Sequence, residues 1–279
     1  MGVILMLLAS ASFTTMAAIL KAVGSDIPLV QLIFLRSVLS VPILFIILVV
    51  QGKPLVVKAK KVLAVRSCLG MVAMGCYFYA LTHMPLAECI LIGRTQPLIL
   101  ALLAPVIVKE SVPRAAWFAI ATGIVGTAII MKPAMAWPLA AWVALAAAGA
   151  AALAQLLVRR LNRTDHPLAI VFNFLLMTAI VTSFGALPGF VAMSDVQWLL
   201  LVGVALFATT GQILMTFAYR YDKASAVASA SYSSIILSVC YGYLFWGELP
   251  QPMAWLGGFL IVIGGTLLVK SRLNRAEPV

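Results

Sequence analysis

Three ionisable side chains, Arg36, Glu88 and Arg94, fall inside segments that are otherwise apolar enough to lie in a lipid bilayer. A charge at the centre of a bilayer costs at least about 2.5–3.5 kcal/mol, so such residues usually face an internal cavity. A guanidinium can bind a carboxylate through two parallel N–H donors. Arg94 is therefore a candidate for substrate binding, and Arg36 and Glu88 are candidates for gating or coupling. The alternatives are that Arg36 packs between helices and that Glu88 is an ordinary interface residue.

The segment ECILIGRTQPLILALLAP, residues 88–105, carries two of these charges and a proline beside them. Glu88 and Arg94 are six residues apart, which would place their side chains about 120° apart on one helix. They therefore do not form an i,i+4 ion pair. Pro97 removes a backbone donor and frees a carbonyl, which needs protein or water as a partner at this depth. The segment predicts a helix bent at Pro97 beside a hydrated cavity, with the bend acting either as a hinge or as a static kink.

Polar and aromatic side chains in other apolar segments complete the set of candidates. The further candidates for substrate binding are Tyr232, Gln96, Asn173, Gln155, Tyr79 and Ser229. Tyr232 offers both a hydroxyl and an aromatic face. Packing is the alternative for Tyr79 and Ser229, and the amides either line a cavity or bridge helices. His83, near the end of the third apolar segment, is a candidate for gating or proton coupling together with Glu88.

The composition places the whole chain in the membrane. Of its 279 residues, 64% are hydrophobic and 10% are charged, whereas a soluble domain is about half apolar and a quarter charged. Too few charges exist to cover a water-facing surface, so the sequence predicts an all-α integral membrane protein. With two histidines and no CxxC pair, no metal site is expected, and no cofactor.

Cutting the sequence at charges, prolines and glycines predicts ten transmembrane helices. They span about 2–22, 29–50, 64–82, 86–107, 115–131, 137–157, 167–188, 196–219, 224–245 and 253–270. With the N-terminus inside, 15 of the 19 Lys and Arg residues, Arg66 among them, lie in cytoplasmic loops or at span ends. This bias predicts that both termini are cytoplasmic. It also accounts for the net charge of +11 without nucleic acid.

Two stretches, 108–132 and 246–270, resemble each other at an offset of 138 residues. The offset pairs Glu110 with Glu248 and Gly126 with Gly264. It predicts two repeats, 1–133 and 134–279, with five spans each. An odd number of spans inverts the second repeat, and inverted repeats are typical of secondary transporters. The glycine-rich last span of each repeat packs either helix to helix or chain to chain, so monomer and homodimer both remain open.

The chain resembles the drug/metabolite transporter superfamily of the EamA type. The resemblance covers almost the whole chain. It is carried by the arginine of IFLRSVLSVP, the proline of RTQPLILALLAP, the motifs KESVPRAAW and WGELPQPMAW, and the spans ATGIVGTAII and LGGFLIVIGGTLL. The first glutamate motif has Lys109 where the family usually has glycine. The resemblance implies ten helices in two five-helix repeats, and a family of metabolite and amino-acid exporters with some importers.

These observations together predict a secondary transporter of the bacterial inner membrane. We expect it to export amino acids, apolar, aromatic or related carboxylate-bearing metabolites, by alternating access. The alternatives are transport of another small metabolite or drug, such as a vitamin, a nucleoside or multiple drugs, and import rather than export. An enzyme is disfavoured because the sequence has no HExxH, no His/Asp cluster and no glycine-rich phosphate loop. The expected partners are a small-molecule substrate and the bilayer, without nucleic acid.

Overall fold

The computed structural model describes residues 1–23, 27–107, 114–131, 139–161, 164–221 and 230–273. Within these ranges the chain forms eleven helices and no strand. The helices are α1 (Gly2–Val23), α2 (Leu29–Val50), α3 (Lys60–His83), α4 (Leu86–Gly93), α5 (Gln96–Ile107), α6 (Arg114–Met131), α7 (Leu139–Leu161), α8 (Pro167–Ala186), α9 (Asp195–Tyr221), α10 (Ser233–Trp246) and α11 (Pro252–Leu273). Ser229 and Glu110 lie outside the described residues.

The helices have the length and surface of a membrane protein. Six of them, α1, α2, α3, α7, α8 and α9, contain spans of 20 to 24 residues that are long and apolar enough to cross a bilayer. Shorter apolar helices cover Trp117–Ile130, Ser233–Trp246 and Pro252–Leu267. Large apolar side chains such as Phe184, Leu199 and Ile236 are at least 70% exposed, which suits lipid rather than water. The all-helical membrane class is confirmed, whereas the fourth expected span is two helices rather than one.

The packing of the helices repeats itself. Helix α1 packs along α9, and α7 packs along α3, while α2 lies against α8 and α6 against α11. When 138 is added to its residue numbers, the range of α1 coincides with that of α7 to within one residue. The same addition converts the range of α3 into 198–221, which lies inside α9. The pair α1–α9 therefore maps onto the pair α7–α3. This exchange is what two repeats related by a pseudo-two-fold axis would produce, and it supports the proposed division into 1–133 and 134–279.

Close glycine contacts join the last helices of the two proposed repeats, α6 and α11. A Cβ placed on Gly126 would lie 2.5 Å from the carbonyl oxygen of Gly257, and one on Gly264 would lie 2.6 Å from that of Ala119. The 138-residue offset converts the first contact into the second. Only residues without a side chain allow backbones to approach so closely. In this chain the glycine-rich helices thus pack helix to helix.

The fourth expected span is interrupted between α4 and α5. Helix α4 ends at Gly93, and Arg94 and Thr95 form a turn before α5 begins. The ring of Pro97 is incompatible with a helical carbonyl four residues earlier, at Gly93, so the helix ends there. Thr95 Oγ1 donates to the Ile92 carbonyl at 2.7 Å and satisfies part of the freed backbone. The interruption agrees with the position of Pro97, and its role as a hinge stays a prediction.

The second half has an interruption at the equivalent position. Ala230 is helical, Ser231 and Tyr232 form a turn, and α10 begins at Ser233. Subtracting 138 from Ser231 and Tyr232 gives 93 and 94. No proline lies here; instead Ser234 Oγ donates to the Ser231 carbonyl at 3.0 Å, and such local hydrogen bonds compete with the helical ladder.

Candidate functional site

Arg94 connects the two interrupted helices. Its Nε and Nη2 atoms donate to Ser234 Oγ at 2.9 and 2.6 Å. Arg94 lies in the turn between α4 and α5, and Ser234 lies in the first turn of α10. The broken regions of both halves therefore meet at a half-buried guanidinium. Discontinuous helices that meet in this way form the substrate sites of many secondary transporters.

Tyr232 lies at the same crossing, but its hydroxyl faces α11. A Cβ on Gly265 would overlap the Tyr232 hydroxyl, so the glycine makes room for it. The Tyr232 ring packs against the main apolar core. Sequence reasoning thus placed Arg94 and Tyr232 in corresponding positions, and the structure brings the broken regions that carry them together. It brings the Arg94 guanidinium into contact with the hydroxyl of Ser234.

The predicted amides bridge helices. Gln96 Nε2 donates to Gln155 Oε1 at 3.0 Å and joins α5 to α7. Asn173 Nδ2 donates to the Ala169 carbonyl at 2.8 Å and to the Leu55 carbonyl, in the connection before α3. Bridging was one of the two alternatives that the sequence left open for these residues. None of these contacts brings an amide to Arg94.

Tyr79 and His83 form a separate pair at the end of α3. Their ring centroids are 4.1 Å apart, and the planes are inclined by 16°. His83 Nδ1 lies 2.9 Å from the Tyr79 carbonyl oxygen, and the His83 side chain is exposed. Glu88 lies in the first turn of α4 and is half-buried. The structure therefore places the predicted coupling residues His83 and Glu88 near one end of the bundle, away from the α4–α5 turn in the chain.

An ion pair that the sequence reasoning missed lies at this end. Lys21 Nζ is 2.5 and 2.7 Å from the carboxylate oxygens of Glu248. Glu248 Oε2 also accepts the backbone N–H of Leu86, at 3.2 Å, and Lys21 donates to the Met84 carbonyl at 3.1 Å. The pair thereby ties α1 and the end of α10 to the start of α4. The available signal was that both charges fall on the same, external side of the expected topology.

A second polar site lies between α2, α3, α8 and α9. It is a cavity of about 30 Å³. It is lined by Arg36, Leu44, Arg66, Val171, Phe174, Leu175, Ala208, Thr209 and Gln212. Arg36 Nη1 contacts the Met74 sulfur at 3.3 Å, and the Arg66 guanidinium lies over the Phe174 ring at 3.9 Å. The predicted gating residue Arg36 therefore shares an internal cavity with a second arginine.

Arg66 was assigned to a cytoplasmic span end by sequence reasoning, because the third span was expected to begin at residue 64. Helix α3 begins at Lys60 instead, which places Arg66 six residues inside it. The signal was present in the sequence: Lys60 and Lys61 already end the basic connection, and Arg66 follows after four apolar residues.

An apolar helical bundle with broken helices and internal arginines defines the class of a membrane transporter. The chain belongs to the EamA-like transporter family, whose model matches residues 1–132 and 138–270. This confirms the resemblance. A pseudopaline exporter of Pseudomonas aeruginosa is 30% identical over 274 residues, covering 97% of this chain and 96% of the relative. A riboflavin transporter of Vibrio cholerae is 27% identical over 215 residues, covering 76% and 72%.

The fold also has a counterpart among solved structures. One crystal structure matches with a TM-score of 0.66 over 96% of this chain and 99% of that chain. At 18% identity the match concerns the fold alone.

Proposed function

We propose that this chain is a secondary transporter of the bacterial inner membrane that exports amino acids or related carboxylate-bearing metabolites by alternating access. Both termini lie in the cytoplasm, and the partners are the substrate and the bilayer. We propose no enzymatic step. The observation that carries the proposal is the position of Arg94, whose guanidinium lies where the interrupted helices of both halves meet.

Arg94 suits a carboxylate because its donors already converge on one acceptor. Two of its N–H donors share the single hydroxyl oxygen of Ser234. A carboxylate presents two oxygens in the geometry of the guanidinium and accepts stronger, charge-assisted hydrogen bonds than a hydroxyl. A substrate carboxylate would therefore displace Ser234 with a gain in interaction energy.

An apolar cleft of about 350 Å³ begins at the next residue, Thr95, and it is open at the surface of the bundle, where Trp142 is half-exposed. It lies between α5, α6 and α7, and its volume falls in the range of about 300–1,000 Å³ that small-molecule sites occupy. Its apolar lining includes Leu98, Leu102 and Trp142. This supports a substrate whose remainder is apolar or aromatic.

Export rather than import is supported by a relative that matches 97% of this chain, the pseudopaline exporter of Pseudomonas aeruginosa. A vitamin is the second candidate substrate. It is favoured by the Vibrio cholerae riboflavin transporter together with the apolar cleft, which could hold a flat ring system.

Flux into and out of proteoliposomes tests the proposal. Purified protein should move labelled amino acids, and Arg94→Ala should abolish the flux while the melting temperature stays within a few degrees. Lys53→Ala is the matched control, because Lys53 is an exposed cation in the connection after α2, and it should leave flux unchanged. Flux of riboflavin without flux of any amino acid would favour the second candidate. Unaltered flux in Arg94→Ala would remove Arg94 from the site.

A further inference from the structure

The cavity between α2, α3, α8 and α9 contains cationic donors without acceptors. Arg36 Nε, Arg66 Nε and Arg66 Nη1 are buried and have no hydrogen-bond partner among the described residues. The described lining of the cavity contains no Asp or Glu and only two uncharged polar side chains, Thr209 and Gln212. Two guanidinium groups thus share one internal space, and no carboxylate of the described residues lines it.

Such an arrangement lowers the stability of the folded bundle. A buried polar group without a partner loses its hydration and gains nothing in return, and a buried charge loses more. Apolar residues of similar volume would usually stabilise such a site. The two arginines are therefore better explained by a ligand that pairs with them than by the stability of the bundle.

The Arg66 guanidinium is held by a ring. The Phe174 ring centroid lies 3.9 Å from the Arg66 Cζ atom. A guanidinium that stacks on an aromatic face keeps the N–H donors at its edge available. Gly70, one turn after Arg66, makes this possible, because a Cβ there would lie 2.8 Å from Phe174 Cε2. The donor edge is thus preorganised before any ligand arrives.

The cavity lies where corresponding residues of the two proposed repeats meet. The 138-residue offset converts Arg36 into Phe174, and it converts Met74, the residue that Arg36 contacts, into Gln212. Arg36, Phe174 and Gln212 all line the cavity. Transporters built from two such repeats bind their substrates at this interface.

We infer that this cavity is a second anion subsite, distinct from Arg94, and that Arg36 and Arg66 bind a carboxylate group of the transported substrate there at a different stage of transport. The identity of the ligand rests on the proposed function, whereas the presence of an anion site does not. A volume of about 30 Å³ holds one or two water molecules or a group the size of a carboxylate. It is too small for a whole amino acid, so only the charged group enters in the conformation described.

The ligand pair formate and formamide tests the inference, because the two molecules have nearly the same size and differ in charge. The melting temperature of the purified protein in detergent is measured with each. At tenfold excess over its Kd, formate should raise it by about 2–4 °C, and formamide should not. In an Arg94→Ala background, which removes the other proposed carboxylate contact, Arg36→Met and Arg66→Met should each remove the formate shift. Lys53→Met, which removes an exposed cation, should keep it and controls for ionic strength.

The unliganded variants provide a second measurement. If the arginines serve a ligand, Arg36→Met and Arg66→Met melt at or above the wild-type temperature, because an unpaired buried charge has been removed. Arg66→Lys, which keeps the charge without the planar fork, should retain part of the formate shift. A formate shift of full size in both Met variants, or none in the wild type, overturns the subsite. Stabilisation by inorganic phosphate without any by formate overturns it as well.

Failure of this inference is distinguishable from failure of the proposed function. A formate shift that depends on both arginines, in a protein that moves no amino acid in proteoliposomes, would leave the anion site standing and remove the function. Amino-acid flux with an unchanged KM in Arg36→Met and Arg66→Met would remove the subsite and leave the function standing.

Discussion

At the scale of single residues, two internal arginines have neutral neighbours. Arg36 contacts the Met74 sulfur and Arg66 the Phe174 ring, while Arg94 donates to the Ser234 hydroxyl. A sulfur and a ring hold Arg36 and Arg66 in place without cancelling their charges. The cavity that these two arginines line thus keeps a positive potential, which favours an anionic group.

Gly70 is the residue on which the Arg66–Phe174 contact depends. In Gly70→Ala the new Cβ would lie 2.8 Å from Phe174 Cε2 and 3.4 Å from Arg66 Nη1, so the ring must move away. We expect overpacking to destabilise the protein by about 1–3 kcal/mol and the formate shift to fall. Thermal unfolding with and without formate measures both effects.

Gly75→Ala is the matched control on the same helix. Its Cβ would meet only Ile33 Cδ1, at 3.7 Å, an ordinary contact. Since alanine is favoured over glycine in a helix by about 1 kcal/mol, this variant should be at least as stable as the wild type and keep the formate shift. Equal behaviour of the two variants would contradict the role given to Gly70.

At the scale of elements, the interruption between α4 and α5 determines the position of Arg94. Because of it, Arg94 lies in a turn and not within a continuous helix. The helix ends four residues before Pro97, and the turn places Arg94 against Ser234. If this turn changes conformation during transport, the bend at Pro97 is a hinge. If it does not, the bend is a static kink.

Pro97→Ala separates these two alternatives. Without the ring, a continuous helix becomes possible, so the melting temperature should rise. If the turn is a hinge, flux should fall by about 10-fold or more, because closing motions commonly limit turnover. Pro42→Ala is the control, because Pro42 lies exposed inside α2, which continues through it. Unchanged flux in Pro97→Ala would leave a static kink.

The Lys21–Glu248 pair holds the start of α4, since Glu248 accepts the Leu86 N–H. Glu248→Gln removes the charge and should loosen this end. Cys89, which is fully buried in α4, then reports the opening in a background where the other three cysteines are serine. We expect labelling by an external maleimide to rise about 10-fold, equivalent to about 1.4 kcal/mol.

Asp195→Asn is the control for this experiment. Asp195 is an exposed carboxylate at the start of α9, on the same predicted side. It should leave the labelling of Cys89 unchanged. An unchanged rate in Glu248→Gln as well would show that the ion pair does not close this end.

At the scale of the whole molecule, the helical membrane architecture could be predicted because apolar length and charge placement are local properties. The interruption of the helix beside Arg94 could also be predicted, because Pro97 acts on the backbone of its own helix. Arg66 was missed because a shift of four residues in a helix start turns an interface residue into an internal one. The Lys21–Glu248 pair and the Asn173 bridge depend on which helices become neighbours, and no local pattern contains that information.

The correspondence between the packed pairs α1–α9 and α7–α3 is relevant to how the protein would alternate between two conformations. Inverted repeats that exchange their packing can interconvert two states of the same molecule, open to opposite sides. The structure shows one arrangement, with the pair Lys21–Glu248 closed and an arginine cavity of about 30 Å³. Under the proposed function, a substrate carboxylate would be released when this arrangement rearranges.

The central claim is that the chain moves small carboxylate-bearing molecules with the help of Arg94. Its most direct test is counterflow in proteoliposomes, in which labelled amino acid accumulates against an unlabelled internal pool, with amino acids and their amides as competitors. We predict accumulation that free amino acids inhibit, that amides lacking the carboxylate inhibit at least about 10-fold less well, and that Arg94→Ala abolishes. Equal inhibition by acids and amides, or counterflow that persists in Arg94→Ala, would contradict the account.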